Sequence, residues 1–229
     1  MEKTNIIDFL KYCDFDYRIY IENVLRIGDS TAIRELKGVM YRRNYERGLL
    51  LMGIINKFSS TKFLEFGTGR GFATACALFA KSDLEITTID SKSSEHSKDL
   101  ICSLGIDVSP VSFLGVDSKS LSAKDIGDGF DLVFIDGGHD YKSVKNDYEI
   151  AVKCCKKGII VFDDFRNKHA GVKKFIKSLD VTKILVNTQG WIWKNKMMAK
   201  TKDGDGIVDG KEHKSGQVVV PVNIDLDSK

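Results

Sequence analysis

Proline is almost missing from this chain: Pro110 and Pro221 are the only two in 229 residues, which excludes a proline-rich linker or ligand segment. Long apolar runs are missing too. The longest, residues 49–55, is interrupted by Gly53 and falls far short of the roughly 20 residues that cross a bilayer. No membrane partner is expected. The five cysteines (Cys13, Cys76, Cys102, Cys154 and Cys155) are odd in number and form no C-x-x-C pair. They read as reduced thiols of a cytoplasmic protein, and the first residues carry no secretory pattern. Charge of one sign is not in excess. Thirty-five basic against 32 acidic residues leave +3, too little to imply nucleic acid. Lys142, Lys145, Lys153, Lys156, Lys157, Lys173, Lys174 and Lys177 fall on predicted helices, where they read as a solvated face. The hydrophobic share of 42% and charged share of 29% are those of an ordinary globular domain. No internal repeat is present.

What the chain does have is concentrated in residues 62–74. The apolar residues Phe63, Leu64 and Phe66 stop at Gly67, Gly69 and Gly71, and a helix-compatible segment follows from Phe72. A strand, a tight glycine turn and a helix start present backbone N–H groups to a ligand. The spacing is G-x-G-x-G rather than the G-x-G-x-x-G of dinucleotide sites, and Glu65 lies two residues before the first glycine. A carboxylate there suits a cationic ligand better than a pyrophosphate. The run Glu65-Phe66-Gly67-Thr68-Gly69-Arg70-Gly71 resembles the first motif of class I methyltransferases that use S-adenosylmethionine.

Further positions follow in order. The β-branched run 84–90 ends in Asp90, 19 residues after Gly71, where nucleotide-binding sheets offer an acid to ribose hydroxyls; capping the next helix is the alternative. Residues 111–118 read as a third strand and a polar turn. The resemblance places Asp117 and Ser118 of that turn against adenine, although Gly-x-Asp-Ser is also generic turn chemistry.

Two strands carry the chemistry. Residues 130–141 end an apolar strand with Asp136-Gly137-Gly138-His139-Asp140-Tyr141, and residues 158–165 end another with Asp163-Asp164. Three carboxylates at neighbouring strand ends repel one another unless a cation or protons intervene. Oxygen ligands of this kind suit Mg²⁺, Mn²⁺ or Ca²⁺ rather than zinc. Over roughly residues 40–195 the chain is similar to metal-dependent O-methyltransferases, closest to the sugar- and antibiotic-tailoring type with an Ile-Asp-Gly-x-His-x-Tyr loop. That resemblance implies a Mg²⁺ ion, or another divalent cation, on Asp136, Asp163 and Asp164. His139, three residues beyond Asp136, is read as a base or substrate-positioning group before a structural one; His169 is left lining its loop, and His96 and His213 have no distinguishing context.

The expected architecture is a Rossmann-like, doubly wound α/β fold with a mostly parallel, seven-stranded sheet and a C-terminal antiparallel hairpin. Residues 1–59 read as a helical region without strands, with a helix over 45–58. Its aromatics, Tyr12, Phe15, Tyr17, Tyr20 and Tyr41, are read as helical core ahead of an active-site cover. Residues 60–197 form the methyltransferase domain in this reading, with residues 183–186 pairing with 190–194, and 198–229 form a dispensable tail. Within the tail, residues 201–212 have the Asp, Gly and Glu positions of an EF-hand loop apart from Thr201 at its first position. No exit helix follows, so a flexible hairpin is favoured over a calcium site.

The implied function is transfer of a methyl group from S-adenosylmethionine to a hydroxyl of a small molecule or sugar. Glu65, Gly67, Thr68, Gly69, Gly71, Asp90, Asp117 and Ser118 would bind the cofactor, with His139 and Asp136 catalytic. A homo-oligomer stays open, as do a nicotinamide-linked enzyme and a non-catalytic Rossmann-like binding module.

Overall fold

The computed structural model describes residues 1–32, 34–36, 39–41, 45–92, 94–188, 191–192 and 216–226. The first elements are β1 (Glu2–Asn5), α1 (Ile6–Tyr12), α2 (Ile21–Ala32), β2 (Arg34–Leu36), β3 (Val39–Tyr41) and α3 (Glu46–Phe58). The alternating body follows: β4 (Lys62–Phe66), α4 (Phe72–Ala80), β5 (Glu85–Asp90), α5 (Glu95–Ser103), β6 (Val111–Gly115) and α6 (Ala123–Ile126). It continues with β7 (Leu132–Ile135), α7 (Tyr141–Cys154), β8 (Gly158–Phe165), α8 (Ala170–Ser178), β9 (Ile184–Asn187) and β10 (Gly216–Val222). Eight strands form one sheet in the order β1-β9-β10-β8-β7-β4-β5-β6, and β2 and β3 form a separate antiparallel pair. Strands β8, β7, β4, β5 and β6 are mutually parallel, whereas β10 runs antiparallel to both neighbours.

Strands β4, β7 and β8 are apolar almost throughout because helices cover both faces of the sheet. Alternation decides which face each residue serves. Phe63, Leu132, Phe134, Ile159 and Val161 pack with the helices before β5, α3 among them. Leu64, Phe66, Val133, Ile135, Ile160 and Phe162 pack with α7 and α8. Each buried side chain of this size contributes about 1.5–3 kcal/mol. Helix α3 is sandwiched: Leu49, Leu50, Leu51, Met52, Ile54 and Ile55 are all buried. The N-terminus of α7 is capped by Asp140, whose carboxylate accepts from the N–H groups of Lys142 and Ser143 at 2.9 and 3.1 Å.

The doubly wound, mostly parallel sheet with an antiparallel C-terminal hairpin is as expected, with two changes. It has eight strands rather than seven, because β1 adds a parallel edge strand beside β9. The N-terminal region is therefore not purely helical: β1, β2 and β3 lie in it. Strand β9 pairs with β1 and β10; of the expected partner segment 190–194, only Trp191 and Ile192 are among the described residues, and neither is in a strand. Val218, Val219 and Val220 are buried between β9 and β8, so residues 216–222 belong to the α/β body and the boundary at 197/198 is displaced. Most of the N-terminal aromatics take the core role. Phe15 stacks on Tyr20 at 4.8 Å between centroids, and Tyr20 meets Phe79 edge-on. The side chain of Tyr41, the EF-hand-like segment 201–212 and His213 lie outside the described residues. All five cysteines are free, and four are buried. Among the described residues no helix is long and apolar enough to cross a membrane.

Candidate active site

The carboxyl ends of β4, β5, β7 and β8 meet along one edge of the sheet. At β4 the chain turns through Gly67, whose φ is +96°. A Cβ there would lie 2.3 Å from the Asp136 carbonyl oxygen, so the turn after β4 and the loop after β7 touch through backbone alone. The Asp136 N–H donates to the Phe66 carbonyl at 2.8 Å. Gly69 differs: its φ is +55°, yet nothing lies within 4 Å of where a Cβ would stand. Its N–H donates to Asp90 Oδ2 at 2.9 Å, and the other carboxylate oxygen accepts from the Lys92 N–H at 3.0 Å. Asp90 therefore sits at the mouth of the glycine turn, as the spacing requires. Helix α4 starts at Gly71 without a side-chain cap, so its first N–H groups remain available to a ligand.

Glu65 is buried beneath this turn. Its Oε2 accepts from Thr74 Oγ1 at 2.5 Å and Thr88 Oγ1 at 2.6 Å, and Thr88 also bonds Thr68. Burial pushes the Glu65 carboxyl up to about 7, against the pull of these hydroxyls and of Arg47. Asp117 caps the short turn after β6 through the Lys119 N–H. Ser118 donates to Asp147 Oδ1 at 2.7 Å. Burial raises the Asp147 carboxyl.

The three acids proposed for a metal line one small cavity with His139, but their oxygens do not gather as one ligand set. Asp163 and Asp164 stand at a bulge in β8: Phe162 and Phe165, three residues apart, pair with Val218 and Gly216, two apart, and Asp164 is left-handed. Arg47, at the start of α3, donates Nη1 to Asp136 Oδ2 at 2.8 Å and to Asp163 Oδ2. The guanidinium also lies 5.3 Å from the Phe72 ring centroid. Burial alone would lower its affinity for its proton, but Asp163 and Asp136 hold it firmly charged. Asp163 Oδ1 accepts from Gln217 Nε2 at 2.5 Å and the Asp164 N–H at 2.7 Å. Gln217 in turn accepts from Thr188. Burial, reinforced by Asp163, raises the Asp136 carboxyl well above the ordinary range. A protein cation thus occupies the space between two of the expected ligands, and this arrangement does not fit a single Mg²⁺ on Asp136, Asp163 and Asp164.

Asp164 faces elsewhere, with φ +58°. Its Oδ2 lies 2.7 Å from His139 Nε2 and 3.4 Å from His169 Nε2, and its Oδ1 is 2.5 Å from Arg166 Nη2. Burial pushes its carboxyl up, but His139, Arg166 and His169 outweigh that and hold it below the usual value. The imidazoles of His139 and His169 stack at 4.0 Å and 27°. Burial lowers the His169 pKa more than Asp164 raises it.

The expected site residues fall into four groups: the glycine turn with Glu65 and Asp90, the turn after β6 with Asp117 and Ser118, the Arg47 clamp on Asp136 and Asp163, and the His139–Asp164 cluster. Sequence reasoning missed Arg47, Gln217 and Asp147. Arg47 carries no local signal, because its partners lie 89 and 116 residues away. His169 had a signal, its proximity to Asp164, that a loop reading discounted. His96, also unassigned, is exposed in the first turn of α5; its neighbour Ser97 donates to the Gly69 carbonyl at 2.8 Å.

Residues 64–165 match the family model described as a methyltransferase domain. Solved structures agree in fold at low identity. The O-methyltransferase TomG of Streptomyces achromogenes, involved in tomaymycin synthesis and solved with S-adenosylmethionine, is 18% identical with a TM-score of 0.56. That likeness covers 88% of this chain and 90% of TomG. An O-methyltransferase from Bacillus cereus, solved with S-adenosylhomocysteine, is 17% identical with a TM-score of 0.55, covering 90% and 91%. The O-methyltransferase NovP is 12% identical with a TM-score of 0.63, covering 91% and 100%. No curated protein sequence matches the chain.

Proposed function

We propose that this chain, whose residues 64–165 match a methyltransferase domain, is a class I S-adenosylmethionine-dependent enzyme that methylates a hydroxyl of a small molecule or sugar. One observation carries the reading. The glycine turn that would hold the methyl donor packs backbone to backbone against Asp136, so donor and proton acceptor share one corner of the sheet edge.

The cofactor would lie across Gly67, Thr68, Gly69 and Gly71, with its ribose hydroxyls on Asp90, its adenine by Asp117 and Ser118, and its amino-acid end towards Glu65. The acceptor oxygen attacks the sulfonium methyl carbon from the side opposite sulfur. A carbon–oxygen bond forms, the carbon–sulfur bond breaks, and S-adenosylhomocysteine leaves. The hydroxyl proton passes to the Asp136 carboxylate. Its raised pKa makes it a stronger base than an ordinary aspartate, and Arg47 fixes its orientation through Oδ2. His139, half exposed and steadied by Asp164, orients the acceptor. The resemblance to metal-dependent relatives also implies a divalent cation, but Arg47 already holds two of the acids implied for it, Asp136 and Asp163. Free thiols at all five cysteines support a reducing, cytoplasmic setting.

The test is a pair of measurements on Asp136→Asn. Binding of S-adenosylhomocysteine by calorimetry should be nearly unchanged. Methyl transfer across a panel of hydroxylated small molecules should fall about 10²–10⁴-fold, the range for a lost general base. An Asp136→Asn enzyme with wild-type turnover would remove this residue from the mechanism.

A further inference from the structure

We infer that His139, Asp164 and His169 form a binding site for one divalent transition-metal ion of the zinc, cobalt or nickel kind, separate from the Arg47 clamp. The role of such an ion, holding the acceptor oxygen, rests on the methyltransferase reading; its binding does not.

Two imidazoles and a carboxylate from three elements converge here: His139 from the loop after β7, Asp164 from the end of β8, and His169 from the start of α8. Their ligand atoms all lie within 4.8 Å of one another. Among the described residues this is the one His/Cys/Asp/Glu group so gathered. Ligands bonded at about 2.0–2.1 Å to a tetrahedral ion stand about 3.4 Å apart, so closing on an ion needs side-chain shifts of about 1 Å. Both Nε2 atoms already aim at the same oxygen, Asp164 Oδ2. Arg166 engages the opposite oxygen, Oδ1, which fixes the carboxylate plane and leaves Oδ2 to the imidazole side.

The ligand types select the ion. Imidazole nitrogen suits zinc, nickel, copper or iron, whereas magnesium prefers an all-oxygen, largely hydrated shell. The oxygen ligands that would favour magnesium are taken: Asp136 and Asp163 are bound to Arg47, and Asp163 also to Gln217. Three protein ligands leave a fourth position open, the arrangement of catalytic rather than structural zinc sites. Here it opens at His139, whose side chain is 43% exposed. An oxygen bound there would approach from the side of the Asp136–His139 loop that the acceptor must use.

Cobalt(II) chloride, titrated into chelator-stripped full-length protein and followed by visible absorption and calorimetry, tests the site directly. One Co²⁺ per chain should bind and give the d–d bands of a low-coordinate nitrogen–oxygen site. Zn²⁺ should displace it, and millimolar Mg²⁺ should not. His169→Ala should weaken Co²⁺ binding at least tenfold. His139→Ala, at the exposed rim where folding is not at stake, should do the same. Asp136→Asn should leave the spectrum unchanged. Absence of Co²⁺ binding, binding indifferent to both histidine substitutions, or loss of binding in Asp136→Asn would each overturn the assignment. S-adenosylhomocysteine binding, measured on the same samples, reports separately on the methyltransferase reading. Its loss with Co²⁺ binding intact would sink that reading and leave the metal site standing.

Discussion

Acidification should weaken cofactor binding through one buried group, Glu65. Its carboxyl is 1% exposed and pushed up to about 7 by burial, so below neutrality the free enzyme holds it protonated. Only the carboxylate attracts the cationic groups of the cofactor. Each pH unit below 7 then costs about a factor of ten in affinity, or about 1.4 kcal/mol. Between about pH 8 and pH 5 the apparent affinity should fall about a hundredfold, with about 0.9 proton released per cofactor bound near pH 6. Calorimetry with S-adenosylhomocysteine in buffers of different ionisation enthalpy measures both quantities. Glu65→Gln should bind weakly at every pH and release no proton. The fold itself responds with its own sign. A carboxyl raised from its ordinary 4.5 to about 7 contributes stability below about 4.5 that is lost as pH rises through 7, about 3 kcal/mol in all. The ligand-free protein should therefore lose that slope in Glu65→Gln. A pH-independent affinity with no proton release would refute the placement of Glu65 beside the cofactor.

Other outcomes follow from the same geometry. Gly69→Ala has room for its Cβ, so the protein should fold, lose about 1 kcal/mol to the left-handed backbone, and bind S-adenosylhomocysteine more weakly by calorimetry. Arg47→Met leaves two buried carboxylates without their cation. Urea unfolding at neutral pH should show a loss of about 3–5 kcal/mol, reduced in acid as the carboxylates take up protons. A chain ending at residue 198 lacks β10 and three buried valines, a loss of roughly 5–8 kcal/mol in burial alone. That is comparable to the stability of a whole domain, so a cooperative melt by circular dichroism should vanish.

The central sheet was legible because strands buried on both faces must be apolar and must end in turn residues, as β4, β7 and β8 do. The glycine turn and Asp90 were legible for a related reason: φ +96° at Gly67 with a carbonyl in its Cβ position admits little but glycine. Strand β1 was hidden because Glu2, Lys3, Thr4 and Asn5 bear no apolar mark, and its pairing with β9 is supplied from 182 residues along the chain. Strand β10 was visible as a strand, but its place between β9 and β8 is a long-range fact. At the candidate site, the split of Asp163 from Asp164 was not legible, because it rests on a bulge in β8 at which Asp164 turns left-handed. Arg47 could not have been found, since only the packing of α3 over the sheet edge brings it to its acids.

The position of β10 also sets an order of events as the chain folds. Strand β8 has β7 on one side from early on, but its other edge waits for Gly216–Val222. Strand β9 waits for the same segment, and β1 can join only once β9 is in place. Contacts of such long sequence separation close slowly. Until they close, the apolar residues Ile160, Val161 and Phe162 lie beside an open hydrogen-bonding edge, the kind of surface that captures another unfinished chain. Nascent protein should therefore be most vulnerable to aggregation after β8 has formed and before β10 arrives, and any segment lengthened between residues 193 and 215 would prolong that interval.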